Sequence, residues 1–367
     1  MYACANGVLL YPVYALLFAD TGLTTAEISS LFAIWSVVSF VCEIPAGALA
    51  DVWSRKRLYA LGELLTAAGF ASWLIWPSYA GFALGFVLWG LGGAFSSGTL
   101  ESLVYDELGD SGSYARVIGR ADTAGLLAML AATLLAAPAF ATGGYFLVGT
   151  ASIATVTLGG LLALWLPDPR STGDDSDDST PGGYLATLRT GVSEVTGNAK
   201  TVGRAVLVAA AVPGFSALDE YLPLLSRDKG AADPAVPLLF ALTALAMAAG
   251  SALAARVSPA TPRPLTRSLL LAAACLAAGA AVPHLAGMLA VSAAFGLLQF
   301  AMVHAESRLQ ETITGPARTT VLSAAGLGAE VFAVLLYAGF ALPFPLPPLF
   351  TLMAVPLALT ALLTHRT

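Results

Sequence analysis

Charge is what this chain has least of. Asp, Glu, Lys and Arg make up 11% of its 367 residues, against 57% hydrophobic residues. A soluble domain carries about 25% charged residues, so there is too little charge here to wet the surface of a soluble protein this long. Histidine is equally scarce: His284, His304 and His365 stand in separate segments, and no cluster of His, Asp or Cys ligands forms at a membrane face. Enzyme activity, a bound metal and a cofactor are therefore not expected. The three cysteines, Cys4, Cys42 and Cys275, fall in distant apolar runs with no CxxC pair, and read as small packing residues. No Gly-x4-Gly-Lys-Ser/Thr loop occurs, which removes ATP hydrolysis. The formal charge is −6, but much of the acidity sits between Asp168 and Asp178. No general basic surface remains to bind nucleic acid. The N-terminus lacks the basic n-region and cleavage site of a signal peptide, so the apolar run near Val8 is expected to be a retained first span.

What is present is long hydrophobic segments. A helix needs about 20 apolar residues to cross a bilayer. Apolar runs bounded by Gly, Pro or charge clusters predict twelve such spans, at 3–19, 28–50, 58–77, 80–105, 116–138, 144–166, 204–225, 235–257, 266–283, 285–307, 318–341 and 346–364. With the N-terminus inside, fifteen of the 17 Lys and Arg residues fall on cytoplasmic connections, and only Arg227 and Lys229 fall outside. One missed helix would scramble that alternation, so both termini are expected in the cytoplasm and the chain in the plasma membrane.

The middle of the chain is of another kind. The stretch from Pro167 to Gly183 has almost nothing to bury and reads as an acidic linker. After it Tyr184, Leu185, Leu188, Val192 and Val195 recur at helical spacing, which predicts a short helix on the cytoplasmic membrane face. The expected organisation is a six-helix bundle over 1–166, a cytoplasmic linker with a surface helix over 167–203, and a second six-helix bundle over 204–367. The halves echo each other. Glu101-Ser102 and Glu306-Ser307 lie 205 residues apart, and the pairs Ala115-Arg116 and Ala317-Arg318 open the helices that follow. Matches in corresponding places suggest a duplicated, pseudo-symmetric pair of bundles.

Between the second and third spans runs Gly47-Ala-Leu-Ala-Asp51-Val-Trp-Ser-Arg55-Lys56-Arg57. This resembles the cytoplasmic signature of the major facilitator superfamily, Gly-x-Leu-x-Asp-Arg-x-Gly-Arg-Lys/Arg. Val52 and Ser54 depart from it, standing for a basic residue and a glycine. The resemblance extends over the whole chain through the six-plus-six layout, and implies an all-α membrane fold of two pseudo-symmetric bundles. Physically, Gly47 removes a side chain so the second helix can approach a neighbour. Asp51 can pair with Arg116 or Arg120, or face a helix N-terminus, while Arg55, Lys56 and Arg57 anchor at headgroups. Such a clasp, made in one conformation and broken in the other, biases a two-state equilibrium. The plainer alternative is that these basic residues serve insertion only.

Acids also lie inside predicted spans, while every Lys and Arg sits at or near a span end. Glu330 is roughly 18 Å beyond Arg318 at 1.5 Å per residue, and Glu43 about 12 Å from Asp51. Glu43, Glu101 and Glu330 are candidates for coupling transport to a proton or other cation, because an ionised acid deep in a bilayer costs about 2.5–3.5 kcal/mol. The alternative is that such acids are protonated and hydrogen-bonded to backbone, which is preferred for Glu63 and Asp122 near the rim. In the superfamily it resembles, spans one, four, seven and ten line a cavity. By position that nominates Asn6 and Tyr14; Ser96, Ser97 and Glu101; Asp219, Glu220 and Tyr221; and Gln299, His304 and Glu306. The glycines at 85, 90, 92, 93 and 98 read as a packing surface, with no strand before them to make a phosphate loop.

The combined expectation is a monomeric secondary active transporter that works by alternating access on a small-molecule substrate. Proton-coupled export of small apolar or cationic organic molecules is favoured. Two alternatives are an importer or uniporter of a small nutrient, and a non-transporting polytopic scaffold. Drug-exporting branches usually carry an arginine in the fourth span and a Gly-Pro pair late in the fifth; here the fourth has no arginine and the fifth has Ala137-Pro138.

Overall fold

A computed structural model describes residues 1–97, 99, 103–104, 111–166, 202–258, 263–312 and 318–364. Every regular element among them is helical. The predicted linker and its surface helix lie outside the described residues, as does Glu101. The chain divides into two compact units, Met1–Asp175 with Ala232–Ala241, and Ser176–Ala231 with Leu242–Thr367.

The first unit contains α1 (Tyr2–Ala5), α2 (Tyr14–Asp20), α3 (Thr25–Val52), α4 (Arg55–Ile75), α5 (Tyr79–Ser96) and the kinked pair α6 (Ser111–Ala163). A capping box starts α3: the Glu27 backbone N–H donates to Thr24 Oγ1, and the Thr24 N–H donates to the Glu27 carboxylate at 2.8 Å. Within α6 the backbone turns at Gly144, whose φ of 56° few side chains tolerate. The break falls where the fifth and sixth predicted spans meet. The second unit holds α7 (Val202–Gly214), a 3-10 segment (Phe215–Tyr221), α8 (Leu222–Asp228), α9 (Val236–Ala254) from Leu242 onward, α10 (Arg263–Ala281), α11 (Gly287–Thr312), α12 (Arg318–Phe340), α13 (Leu346–Leu352) and α14 (Ala354–Thr364).

Nine helices among the described residues are long and apolar enough to cross a bilayer. One of them, Arg116–Ala163, has 48 residues, or about 72 Å at 1.5 Å per residue. A hydrocarbon core is about 30 Å thick, so this segment suffices for two crossings. The shorter apolar helix Ala324–Phe340 and the broken first segment lie where two further spans are expected.

Without water in the bilayer, helices hold together by close packing, which small residues allow. A Cβ added at Gly62 would lie 2.6 Å from the Gly92 carbonyl oxygen, and one at Gly69 would lie 2.6 Å from that of Gly85. The register is antiparallel, and it locks α4 against α5. The second half of α6 packs on α4 in the same way: a Cβ on Gly160 would meet Glu63 Cβ at 3.0 Å, and one on Gly149 would meet Leu74 at 2.7 Å. In the second unit Gly250 faces Gly296, and Gly279 faces Gly287. There α10 packs on α11 and on α14, matching the way α4 packs on α5 and α6. Gly328 meets Ala210 and Gly214 meets Phe332, a constant separation that makes α7 and α12 parallel neighbours. Large apolar side chains point outward, with Ile75 at 83%, Phe146 at 73% and Trp165 at 85% exposure, as a lipid-facing surface requires.

Candidate functional site

The sequence predicts an unbroken first span over 3–19, but the helix stops after Ala5 and resumes at Tyr14. Gly7 and Pro12 lie in the gap, and Pro12 has no N–H to donate. Backbone groups freed at membrane depth must find other partners. Here α6 supplies them: the Leu10 N–H donates to Ser152 Oγ at 2.9 Å, and Thr155 Oγ1 donates to the Gly7 carbonyl at 3.0 Å. Gly159 has no side chain to obstruct this approach; a Cβ there would meet Ala5 N at 3.2 Å and Met1 O at 3.3 Å. The non-helical stretch is therefore built into the fold.

The seventh span, predicted continuous over 204–225, is interrupted as well. α7 contains Pro213 and gives way to the tighter 3-10 segment Phe215–Tyr221 before α8 begins. Ser216 Oγ donates to the Pro213 carbonyl at 2.6 Å. Each unit thus opens with a discontinuous helix, and Tyr14 and Asp219 lie 205 residues apart, the spacing of the two Glu-Ser pairs. The two interruptions fall in the corresponding segments of the two halves.

In the first unit the interruption borders an aromatic cluster. Tyr14, 2% exposed, is flanked by Phe18, Phe32, Trp73, Phe86 and Trp89 with ring centroids 5.4–6.1 Å apart. Tyr11 sits edge-on to Tyr14 at 5.7 Å and to Trp89 at 6.2 Å, and Trp35 leans on Trp89 at 5.5 Å. The Trp73 indole donates to the Phe82 carbonyl at 3.0 Å. In the second unit the interruption carries acids. Asp219, Glu220 and Glu330 act electrostatically on the buried Tyr337 hydroxyl, together with Tyr221. Tyr221 itself is fully buried, its ring 4.4 Å from Phe340. Two candidate sets, Asp219 to Tyr221 and Glu330, are thereby brought together.

Other predicted residues are placed apart from these clusters. Asn6 lies in the first interruption. Ser96 Oγ donates to the Gly92 carbonyl at 3.1 Å and reaches Glu63 Oε1 at 3.5 Å, while Ser97 is exposed beyond the helix end. Gln299 donates to Ser251 Oγ at 3.1 Å. His304 is 2% exposed and stacks on Phe300 at 5.4 Å; Glu306 is exposed and accepts from Gln310. Glu43 is exposed on α3.

In the cytoplasmic motif, Gly47 departs from its expected role. It is exposed, and among the described residues a Cβ there would meet nothing within 4 Å. The Asp51 side chain lies outside the described residues, and Arg57, Arg116 and Arg120 are exposed. Arg55 is half-buried. Lys56 donates to the Leu166 carbonyl at 3.1 Å, a cation at the C-terminal end of the sixth span where the helix dipole favours it. The glycine surface on the fourth span is used as expected at Gly85, Gly90 and Gly92, whereas Gly93 faces open space.

One acid was left outside the candidate set. Glu63 is 7% exposed, held by hydrogen bonds to Tyr59 and Ser96 and backed by Gly160. Its predicted distance from the rim gave no sign of this burial, which depends on how α4 is rotated. Among the described residues no group of three or more His, Cys, Asp or Glu is arranged to hold a metal ion.

The family model described as Major Facilitator Superfamily matches residues 1–329. The fold is similar to that of the nucleoside transporter NupG, with a TM-score of 0.76 at 12% identity over 99% of this chain and 95% of that one. It is similar to a D-xylose-proton symporter, with a TM-score of 0.72 at 13% identity over 99% and 94%. A bacterial homolog to the human lysosomal transporter Spinster, inward-facing and occupied, gives 0.71 at 16% identity over 99% and 93%. At these identities the likeness shows the fold alone. No curated protein matches the chain by sequence.

Proposed function

We propose, from the premise that this chain belongs to the major facilitator superfamily, that it is a proton-coupled exporter of small apolar or cationic organic molecules. Membership makes it a multi-pass membrane transporter of small molecules and not an enzyme. The rest is our reading: twelve crossings, a monomer in the plasma membrane with both termini cytoplasmic, and a site exposed to each side in turn by rocking of the bundles.

The observation that carries coupling is the acidic group at the interrupted seventh span. Every charged residue acting on Tyr337 is an acid, namely Asp219, Glu220 and Glu330. Several carboxylates near one another at membrane depth cannot all stay ionised cheaply. Proton uptake from one side and release to the other relieves that cost, and couples cargo movement to the proton gradient. Glu101 and Glu43 are carried as further coupling candidates from their positions in the sequence. Asp51 with Arg116 or Arg120 forms the cytoplasmic clasp in this reading, and Gln299, His304 and Glu306 belong to the tenth-span wall.

A second reading, uptake of a small nutrient, is favoured by the names of the similar folds, a nucleoside transporter and a D-xylose-proton symporter. Purified protein in liposomes separates the two. An imposed pH gradient should drive cargo in the direction opposite to proton flow for export, and in the same direction for uptake. Glu330→Gln or Glu101→Gln should abolish the gradient dependence, and unchanged dependence in both would remove these residues from coupling.

A further inference from the structure

Two buried hydrogen-bond donors in the aromatic cluster have no acceptor among the described residues. Tyr14 Oη and Trp35 Nε1 are each sealed from solvent with no hydrogen-bond partner. Their neighbours behave differently: Trp73 Nε1, in the same cluster, donates to the Phe82 carbonyl. Buried polar groups are almost always paired, and each exception asks for an explanation. At membrane depth the demand is stronger, because no water competes. Trp35 lies ten residues into α3, or about 15 Å from its start, near the middle of a bilayer core.

Both donors lean on one ring. Tyr14 meets Trp89 edge-on at 6.1 Å, and Trp35 is tilted against it at 5.5 Å. Tyr11, on the non-helical stretch that precedes α2, also meets Trp89 at 6.2 Å. The rings that carry the two donors both touch Trp89, and Tyr11 brings the interrupted backbone to the same ring. Phe32 and Phe86 close the cluster around Tyr14.

We infer that this cluster is a cargo subsite for flat, neutral ring compounds bearing a hydrogen-bond acceptor such as a carbonyl oxygen. The inference rests on the transporter reading above and narrows its cargo. Aromatic walls alone would suit either a neutral ring, by stacking, or an organic cation, by cation–π attraction. The two unpaired donors separate these choices. An indole N–H can only donate, and a phenol presents its proton to any acceptor. A cation would face the positive ends of both dipoles and leave both unpaired. A carbonyl oxygen accepts from them while its ring lies against Trp89. The carboxylates of the other unit are then left for coupling.

Benzamide and benzylammonium test this, being rings of equal size that carry an acceptor and a cation respectively. Binding of each radiolabelled probe is measured at equilibrium to the full chain in lipid nanodiscs, with no pH gradient. Benzamide should bind saturably and compete poorly with benzylammonium. Tyr14→Phe keeps the ring and removes one donor, and Trp35→Phe removes the other donor with part of its ring; each should weaken benzamide about tenfold, which is about 1.4 kcal/mol, and leave benzylammonium unchanged. Tyr14→Phe without probe should melt no lower than the parent, because its lost donor had no partner. Tighter binding of benzylammonium, or full benzamide affinity in both variants, would overturn the subsite. So would a lower melting temperature in both variants with the benzamide affinity kept, since the donors would then be structural. Equilibrium binding needs neither gradient nor direction, so failure here leaves proton-coupled export standing. Loss of gradient dependence with binding intact would sink the coupling alone.

Discussion

Gly92 and Gly93 are adjacent on one helix and make a matched pair for testing how α4 and α5 are held together. A Cβ on Gly92 would lie 2.5 Å from the Gly62 carbonyl oxygen and 2.6 Å from Thr66 Oγ1, while one on Gly93 would meet nothing within 4 Å. Ordinary contact begins near 3.4 Å, so Gly92→Ala must push the helices apart by about 0.9 Å. The obstacle is a backbone carbonyl, which cannot rotate away. Overpacking of this kind costs about 1–3 kcal/mol. Replacing Gly by Ala in a helix also gains roughly 1 kcal/mol of propensity, and that gain is common to both variants. Gly93→Ala should therefore be stabilising by about that amount, and Gly92→Ala should fall below it by the overpacking cost. Melting of the purified protein in detergent, followed by a thiol-reactive or tryptophan signal, should place Gly92→Ala several degrees below Gly93→Ala. The same displacement would disturb the aromatic cluster, since Phe70 and Trp73 come from α4 and Phe86 and Trp89 from α5. Equal melting temperatures, or a higher one for Gly92→Ala, would refute the packing argument.

Further outcomes follow from the same structure. Ser152→Ala leaves the buried Leu10 N–H without its acceptor, which should cost about 1–3 kcal/mol; a melt unchanged from the parent would mean the interruption is held by other contacts. Lys229 donates to the Ala280 and Val282 carbonyls at 3.0 and 2.5 Å, capping the end of α10. Its burial pulls the ammonium below its ordinary 10.5, with Asp228 opposing. The unfolded chain then holds that proton more tightly, so stability should rise with pH through the window that ends at 10.5. Thermal melts across that window should show the rise in the parent and a flat profile in Lys229→Met. Lys56→Met removes the cation from the Leu166 carbonyl, and a half-buried cap of this kind should cost about 0.3–2 kcal/mol, read as a small drop in melting temperature.

Much of this architecture is legible in the sequence, because the bilayer imposes a length on each span and a sign on each connection. The gap between predicted spans five and six coincides with the backbone turn at Gly144, and Gly85, Gly90 and Gly92 of the fourth span pack as expected while Gly93 does not. The interruptions at residues 6–13 and 215–221 are not legible in the same way. Apolar runs report hydrophobicity and say nothing of backbone continuity, and the hydroxyls of Ser152 and Thr155 that satisfy the first break lie 142 and 148 residues away. The local signals are Gly7, Pro12 and Pro213. The burial of the candidate residues differs for a related reason. Tyr14, Asp219 and Glu330 fall in clusters, whereas Glu43, Ser97 and Glu306 are exposed, because helix rotation decides burial and a single sequence does not encode it visibly. Gly47 keeps its place in the motif without, among the described residues, the close contact that its chemistry permits.

The central claim is that each interrupted helix is reached from one side of the membrane and then from the other. Its most direct test is thiol accessibility. With Cys4, Cys42 and Cys275 replaced by Ser, Tyr11→Cys and Ser216→Cys are each introduced singly. A membrane-impermeant thiol reagent is then applied to right-side-out and to inside-out vesicles. Both positions should react from each side, and a saturating cargo should slow both reactions. Reaction from one side only, at every pH and cargo concentration, would contradict alternating access at these interruptions.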